Sequence, residues 1–320
     1  MQTIWYSLAN QIITILRVLK FLFIMFLKPF YTDAKASLRA CCTGLCALFL
    51  LAVFPALAEP EDCSKHEKCV ETDQWSIGVA IGLGAKSNPI NGGDAIPQVL
   101  LLDIAWYGEN VYFDNGELGY RWLQDQDFSV ESYVTFDRER AFFIFWDPAN
   151  ILVNTGVSSS DNPNTGEDNV SLERISSRNW ALIAGTKVHY YTGSHKWSLG
   201  VESDISGVHS GQRITLSYRK MWNGDDWRFQ LKPSVVYKSD KLVDYYYGLN
   251  AQDNVPPNAY FEGSGGFQPS LSALYIQDLN EDWQLIVSGS YQYLHMGMTN
   301  SPLVDQKHVS NVFIGFGYRF

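Results

Sequence analysis

The chain ends on NVFIGFGYRF (311–320), and the alternation within this stretch decides the fold class. Every second residue is apolar, namely Val312, Ile314, Phe316, Tyr318 and Phe320. Four of the five residues between them are polar or glycine. A period of two predicts a β-strand with one apolar face and one face of small or polar groups. A chain terminus ordinarily frays and needs no such pattern.

The composition restricts the class of protein further. The chain is 46% hydrophobic and 14% aromatic, but only 18% of its residues are charged, and its mean hydropathy is −0.13. This balance excludes a bundle of membrane helices over most of the chain and fits sheets that are apolar on one side only. The net charge of −10 argues against nucleic acid as a partner.

The N-terminal part of the chain predicts export. An apolar core (41–54) follows Lys35 and Arg39 and precedes the small-x-small sequence Ala56-Leu57-Ala58, after which a signal peptidase cuts. Residues 1–58 are therefore expected to be a signal peptide with an over-long N-terminal extension.

Two interpretations of the first 28 residues stay open. Either the start codon is assigned too early and Met25 is the true start, or this stretch is an inner-membrane anchor.

A short leader, residues 59–74, would follow the cleavage site and lie in the periplasm. It contains Cys63 and Cys69, the two cysteines that remain after cleavage. In an oxidising compartment they are candidates for a small disulfide loop, and the alternative is two free thiols in a mobile leader.

Beyond the leader, segments of about ten residues with alternating character recur. The clearest are WSIGVAIGLG (75–84), WSLGVESDI (197–205), WRFQLKP (227–233) and WQLIVSGSYQY (283–293). No run of 18 apolar residues occurs there, so the sequence predicts no membrane-spanning helix in this part. Strands in lipid must pair all their backbone groups with neighbours, so the sheet must close on itself. Residues 75–320 are therefore predicted to form an all-β, closed antiparallel transmembrane β-barrel in the cell outer membrane.

The alternation predicts about twelve strands, an even number as single-chain bacterial barrels require. The predicted strands are 75–85, 95–107, 110–123, 127–139, 177–192, 196–206, 211–222, 226–238, 241–248, 265–278, 282–295 and 308–320. With both termini in the periplasm, this order predicts two aromatic belts at the membrane interfaces. The inner belt would contain Trp75, Trp180 and Trp283, and the outer belt Trp197, Trp222 and Trp227.

The longest connection, residues 140–176, falls on the periplasmic side in this order, although long connections of such barrels usually face outward. Splitting 110–123 at Asn115-Gly116 and adding a strand near 169–176 would give fourteen strands and move the connection outside. The added strands would be short for a membrane span, so twelve strands are preferred.

The sequence resembles the MipA/OmpV family of outer-membrane proteins over about residues 75–320. The resemblance is carried by WSIGVAIGLG (75–84), DIAWYGENVYFDNGELGYRWL (103–123), SVVYKSDKLVDYYYGLN (234–250), SPLVDQ (301–306) and the terminal GFGYRF. It implies a barrel without a catalytic site or cofactor, described in the family as a scaffold that links a murein transglycosylase to a murein synthase. Other members are described as antigens or adhesins. An alternative function of a different class is a channel for small solutes.

No residue pattern predicts an enzyme or a metal site. The histidines form neither an i, i+4 pair nor a Cys/His cluster, and no G-x-S-x-G sequence occurs. His209 and Ser210 are adjacent, but sequence neighbours rarely form a nucleophile and its base. Glu202, Asp204, Arg228, Lys232 and Arg319 are expected to point into the lumen, where they either pair across a narrow interior or meet water.

We expect the terminal aromatic residues Phe316, Tyr318 and Phe320 to form the signal that the outer-membrane assembly machinery reads. Deleting Phe320, or adding a few charged residues after it, should therefore lower the yield of folded protein in the outer membrane. The shift of electrophoretic mobility on heating measures that yield. An unchanged folded yield would contradict this role.

Overall fold

A computed structural model describes residues 72–143, 150, 170 and 175–320. The predicted signal peptide, Cys63, Cys69 and most of 144–174 lie outside the described residues, so those expectations stay predictions. No helix among the described residues is long and apolar enough to cross a membrane.

The described chain is built almost entirely from antiparallel strands. They are β1 (Trp75–Lys86), β2 (Ile96–Pro97), β3 (Leu100–Tyr107), β4 (Val111–Asp114), β5 (Glu117–Gln124), β6 (Phe128–Phe136), β7 (Leu182–Thr192), β8 (His195–Asp204), β9 (Gln212–Asn223), β10 (Trp227–Lys238), β11 (Gly266–Asp278), β12 (Trp283–Tyr293) and β13 (His308–Arg319). Two α-helices interrupt them, α1 (Asp240–Tyr247) and α2 (Met296–Thr299), with 3-10 turns at Arg138–Phe142 and Pro257–Ala259.

The sheet closes into a barrel, as the sequence predicts. β1 pairs with β3, each strand from β3 onward pairs with the next, and β13 pairs with β1 from Gly78↔Arg319 to Lys86↔Asn311. β2 has two residues and pairs only with β1, so the ring itself has twelve strands. The predicted class and strand number are confirmed.

The alternation of apolar and small or polar residues in 311–320 is visible in β13. Val309, Asn311 and Phe313 are buried in the interior, whereas Val312, Ile314 and Phe316 on the outer surface are 52–60% exposed. Large exposed apolar side chains all around a ring are what a lipid-facing wall requires.

The predicted strand 110–123 is two strands. Asn115 and Gly116 both have positive φ (47° and 88°), which is the backbone of a tight two-residue hairpin turn. β4 therefore ends at Asp114, and β5 returns antiparallel to it from Glu117. The split rejected in the sequence analysis is correct.

The predicted strand 241–248 is instead the helix α1. Its buried residues are Leu242, Val243, Tyr246 and Tyr247. A spacing of three to four places them on one face of a helix rather than of a strand. The split adds one strand and the helix removes one, so the total of twelve is unchanged. The strands between these two positions, β6 to β10, run in the opposite direction to the prediction.

The two ends of the barrel differ. The end that holds the start of β1 and the end of β13, here called the turn end, has connections of two to four residues between successive strands. The opposite end, here called the mouth end, carries the long connections after β1, β6, β10 and β12. The 140–176 connection follows β6, and its described residues at 140–143 and 175–176 lie at the mouth end, opposite to the predicted side.

The predicted division of the tryptophans between two belts is wrong for Trp180, Trp197, Trp222 and Trp227, whereas Trp75 and Trp283 lie at the predicted end. Trp75, Trp197, Trp222, Trp227 and Trp283 all lie at the turn end, because each opens an outgoing strand or closes a returning one. Trp180 precedes β7 at the mouth end, where its ring meets Phe136. Reversed strand polarity between the two errors explains the difference.

Glycines let the first and last strands approach at the barrel seam. Gly82 faces Gly315 in the ladder, and a Cβ on Gly82 would lie 2.2 Å from the Ile314 carbonyl oxygen. A Cβ on Gly315 would lie 2.7 Å from the ring of Phe313, which fills the interior beside the seam. The seam therefore has no room for side chains at these positions.

We expect Gly82→Ala to destabilise the barrel by about 1–3 kcal/mol, since the added methyl group must displace backbone. Gly200→Ala is the matched control, because Gly200 also faces the interior and a Cβ there would meet only Lys187 Cγ at 3.6 Å. Unfolding in urea, followed by tryptophan fluorescence, compares the two. Equal stability of both variants would show that the seam is not tightly packed.

Candidate functional site

The mouth end is filled by a hydrophobic core built from the long connections. Tyr246 and Tyr247 of α1 and Met298 of α2 are fully buried. The whole cluster consists of Ile90, Val170, Leu242, Val243, Tyr246, Tyr247, Leu249, Leu294, Met298, Leu303, Val304 and Val309. We call it the mouth cluster. Because most of its members belong to connections rather than to the wall, the connections fold over the barrel and pack on one another.

Two of the sequence motifs that carry the family resemblance meet in this cluster. Ser301 Oγ donates a hydrogen bond of 2.6 Å to the Tyr247 carbonyl oxygen, so the 301–306 stretch is joined to the end of α1. Val304 forms a β-bridge with Ile90, which joins the same stretch to the connection after β1. The motifs thus hold three mouth connections together.

A buried glutamate joins α1 to the wall beneath the mouth cluster. Glu139 Oε1 accepts a hydrogen bond from Lys238 Nζ at 2.5 Å, and Oε2 accepts one from the Tyr247 hydroxyl at 2.5 Å. Burial alone would raise the pKa of Glu139, but Lys238 and Arg213 hold it below its usual range. Burial and the carboxylate of Glu139 raise the pKa of Tyr247, so the tyrosine stays a donor.

A second group of charges lies beside the first, on the inner side of strands β6, β8 and β9. Arg213 on β9 donates to Asp137 at 2.9 Å and to Glu202 on β8 at 2.7 Å. The hydroxyl of Tyr133 on β6 donates to the other oxygen of Glu202 at 2.5 Å. Burial would raise the pKa of Asp137, but Arg213 and a hydrogen bond from His209 keep it below its usual range. The connection after β6 is thereby fixed inside the barrel.

Two of the expected lumenal charges are paired, though not with each other. Glu202 binds Arg213, and Arg228 Nη2 lies 3.2 Å from Asp278 on the neighbouring strand. Asp204 accepts hydrogen bonds from the backbone amides of the turn that follows it. No sequence pattern marks the central partners Asp137 and Glu139, because they lie in a connection that only the fold brings inside.

His209 and Ser210 do not form a nucleophile and base. The ring of His209 is fully buried, its Nδ1 accepts from the Gly211 amide at 2.8 Å, and its Nε2 donates to Asp137 at 3.2 Å. Ser210 stands at a positive φ of 51° and its amide donates to Asp204. The histidine therefore joins the turn after β8 to the charges in the lumen.

The aromatic connection after β6 folds inward. Asn88 Nδ2 donates to the Phe142 carbonyl oxygen at 2.7 Å, and Lys86 Nζ lies 4.6 Å from the Phe142 ring centre. Phe143 packs on the rings of Tyr246 and Tyr247. This connection thus narrows the lumen at the mouth end, and the part at Phe145 and Trp146 lies outside the described residues.

A family model described as MltA-interacting protein MipA matches residues 77–320. The chain belongs to the MipA family. It is similar to outer membrane protein Omp26La of Vibrio anguillarum, with 22% identity over 67% of this chain and 86% of that one. It is also similar to "Putative outer membrane protein YiaT" of Escherichia coli O157:H7, with 22% identity over 76% of this chain and 91% of that one.

Two further comparisons cover less of this chain. YiaT of Escherichia coli K12 is 23% identical over 49% of this chain, and the match spans 64% of that relative. Among solved structures, the N-terminal β-barrel domain of Pseudomonas aeruginosa OprF matches with a TM-score of 0.21, 15% identity, 44% of this chain and 88% of that one. Family, relatives and closed sheet together place the protein in the outer membrane as a β-barrel of the MipA family.

We expect Glu139→Ala to loosen the mouth cluster, because it leaves Lys238 buried without a counter-charge, a cost of about 3–5 kcal/mol. Hydrogen exchange at the amides of α1 should rise, while the wall strands keep their protection. Glu262→Ala removes an exposed carboxylate from the same end of the barrel and serves as the control. Unchanged protection of α1 in the Glu139 variant would contradict a role for this carboxylate in holding the mouth.

Proposed function

We propose that the protein is a structural outer-membrane barrel that docks periplasmic enzymes of murein synthesis or remodelling, rather than an open diffusion pore. The observation that carries the proposal is the mouth cluster. A wide channel needs an aqueous lumen through both ends, whereas here twelve largely apolar buried side chains pack at one end. Paired charges lie inside the barrel at the same end.

The orientation of the barrel limits where such partners could dock. Barrels of this class have short periplasmic turns and longer extracellular loops. By that asymmetry the turn end faces the periplasm, and the mouth end faces outward. An enzyme in the periplasm would therefore meet the short turns and the residues that precede β1.

The family description supports the identity of the partner class. It names MltA-interacting proteins, and the sequence resemblance implies a murein transglycosylase and a murein synthase as partners. The described aromatic residues of the connection after β6, Phe142 and Phe143, lie at the mouth end, away from the turns that would face the periplasm.

A surface role as an adhesin or antigen is the second candidate. Exposed side chains such as Met296 and Tyr260 lie on the mouth connections, which would face the outside of the cell. This role is compatible with a closed mouth, because it needs only the outer surface.

Planar-bilayer recording on the purified protein tests the closed mouth. We expect the wild-type protein to show no stable single-channel steps, and Glu139→Ala to show intermittent ones, since its mouth is loosened. Stable steps in the wild-type protein would sink the structural assignment in favour of a small-solute channel. Capture of a purified murein transglycosylase by the immobilised barrel, and its absence with a barrel of another family, would support docking.

A further inference from the structure

Three cationic side chains in the lumen have no carboxylate partner within 4.0 Å among the described residues. Strands β7 to β10 carry seven inward-facing lysines and arginines, and four have carboxylate partners. The pairs are Lys187–Glu117 at 2.6 Å, Arg213–Glu202 at 2.7 Å, Arg228–Asp278 at 3.2 Å and Lys238–Glu139 at 2.5 Å. Within the described part of the chain, Lys196, Arg219 and Lys232 have no carboxylate oxygen within 4.0 Å.

These three cations form one row across neighbouring strands. Lys196 on β8 lies directly opposite Arg219 on β9. On the other side of β9, Leu231 of β10 pairs with Lys220. Because the two strands are antiparallel, the next residue of β10, Lys232, lies opposite Arg219.

Like charges placed opposite each other destabilise a sheet. In a chain of net charge −10, carboxylates for neutralising this row are in excess. Among the described residues, the carboxylate that acts on Lys196 is that of Glu131, which instead binds His189 at 2.9 Å and lies more than 4.0 Å from Lys196.

The surroundings of the row are polar and reachable from the turn end. Tyr191 lies opposite Lys196, and Ser272 lies opposite Lys232. All three cationic residues are partly accessible to solvent. Lys196 is the second residue of β8, immediately after the two-residue turn 193–194, which is too short to fold over the lumen. With the mouth cluster at the other end, a ligand would enter from the turn end.

We propose that Lys196, Arg219 and Lys232 bind a phosphate group that enters the lumen from the turn end. The planar fork of an arginine binds a phosphate oxygen pair, and the two lysines add point charges on either side. The group is either free inorganic phosphate or the phosphoryl group of a small sugar phosphate, since both present the same oxygens. This site is independent of enzyme docking, because it lies inside the barrel.

Calorimetric titration of the folded, detergent-solubilised barrel with inorganic phosphate, at constant ionic strength, tests the site. We expect saturable binding of one phosphate, and at least about tenfold weaker binding by the double variant Lys196→Gln and Arg219→Gln, since each removes a charge-assisted contact. Lys220→Gln is the matched control, because Lys220 neighbours Arg219 but points outward toward Trp222. Its affinity should equal that of the wild-type protein.

A stability measurement separates binding from a structural role. Without phosphate, the double variant should unfold at the same temperature as the wild-type protein or a higher one, because repulsion within the row is relieved. With phosphate, only the wild-type protein and Lys220→Gln should gain stability. Failure of the wild-type barrel to bind phosphate, or an equal loss in Lys220→Gln, would overturn the site.

A parallel titration with glucose 1-phosphate distinguishes the two sources of the group. Tighter binding than that of inorganic phosphate would assign the site to a phosphorylated sugar, and equal or weaker binding would assign it to free phosphate. None of these titrations depends on conductance or on enzyme capture, so the phosphate site and the docking function can fail separately.

Discussion

The closing of the sheet on itself is the constraint from which the rest of the molecule follows. A strand within lipid has no water to satisfy its amides and carbonyls, so an open edge is not tolerated. The nine residue pairs between β1 and β13 remove that edge. This pairing brings the two backbones close together, and glycine at positions 82 and 315 avoids a clash between them. The ring of Phe313 occupies the interior beside these glycines.

A closed wall creates an interior that must be filled or left to water, and the two halves of this lumen differ. At the mouth end, apolar connections pack on each other above paired charges, so Glu139, Asp137 and Arg213 are buried but satisfied. A buried charge is tolerable only with such partners. Towards the turn end the connections are too short to fold in, so among the described residues the inward side chains of the wall determine the lumen there.

The sequence predicts the closed wall well because its signal is the period of two, which each strand repeats. It predicts polarity poorly. Closure requires only that the number of strands be even. The missed split of 110–123 and the false strand at 241–248 cancel in that number, so it does not reveal them. The Asn115-Gly116 turn is recognisable in the sequence, but the four residues of β4 are too few for a membrane-spanning strand, so the sequence favours one strand over two. The sequence predicts a strand at Tyr245–Tyr247, because the buried residues there, which are spaced for a helix, contact partners that only the fold supplies. The buried Asp137 and Glu139 could not be identified either, since nothing local distinguishes them from exposed acids.

The short β4 also explains why the connection after β6 turns inward. β4 pairs with β3 only at Ala105–Tyr107, and the Asn115 side chain extends this pairing by one residue, accepting from the Ile104 amide at 3.0 Å. Above that level β3 has ladder partners in β1 alone. The chain from β6 crosses to the β1 side at this end and is held there by Asn88 and Phe142. The short β4–β5 hairpin makes the barrel wall lower on this side, which would leave the interior open to lipid. We infer that the inward connection after β6 covers this gap from inside, so the same segment narrows the mouth and completes the wall.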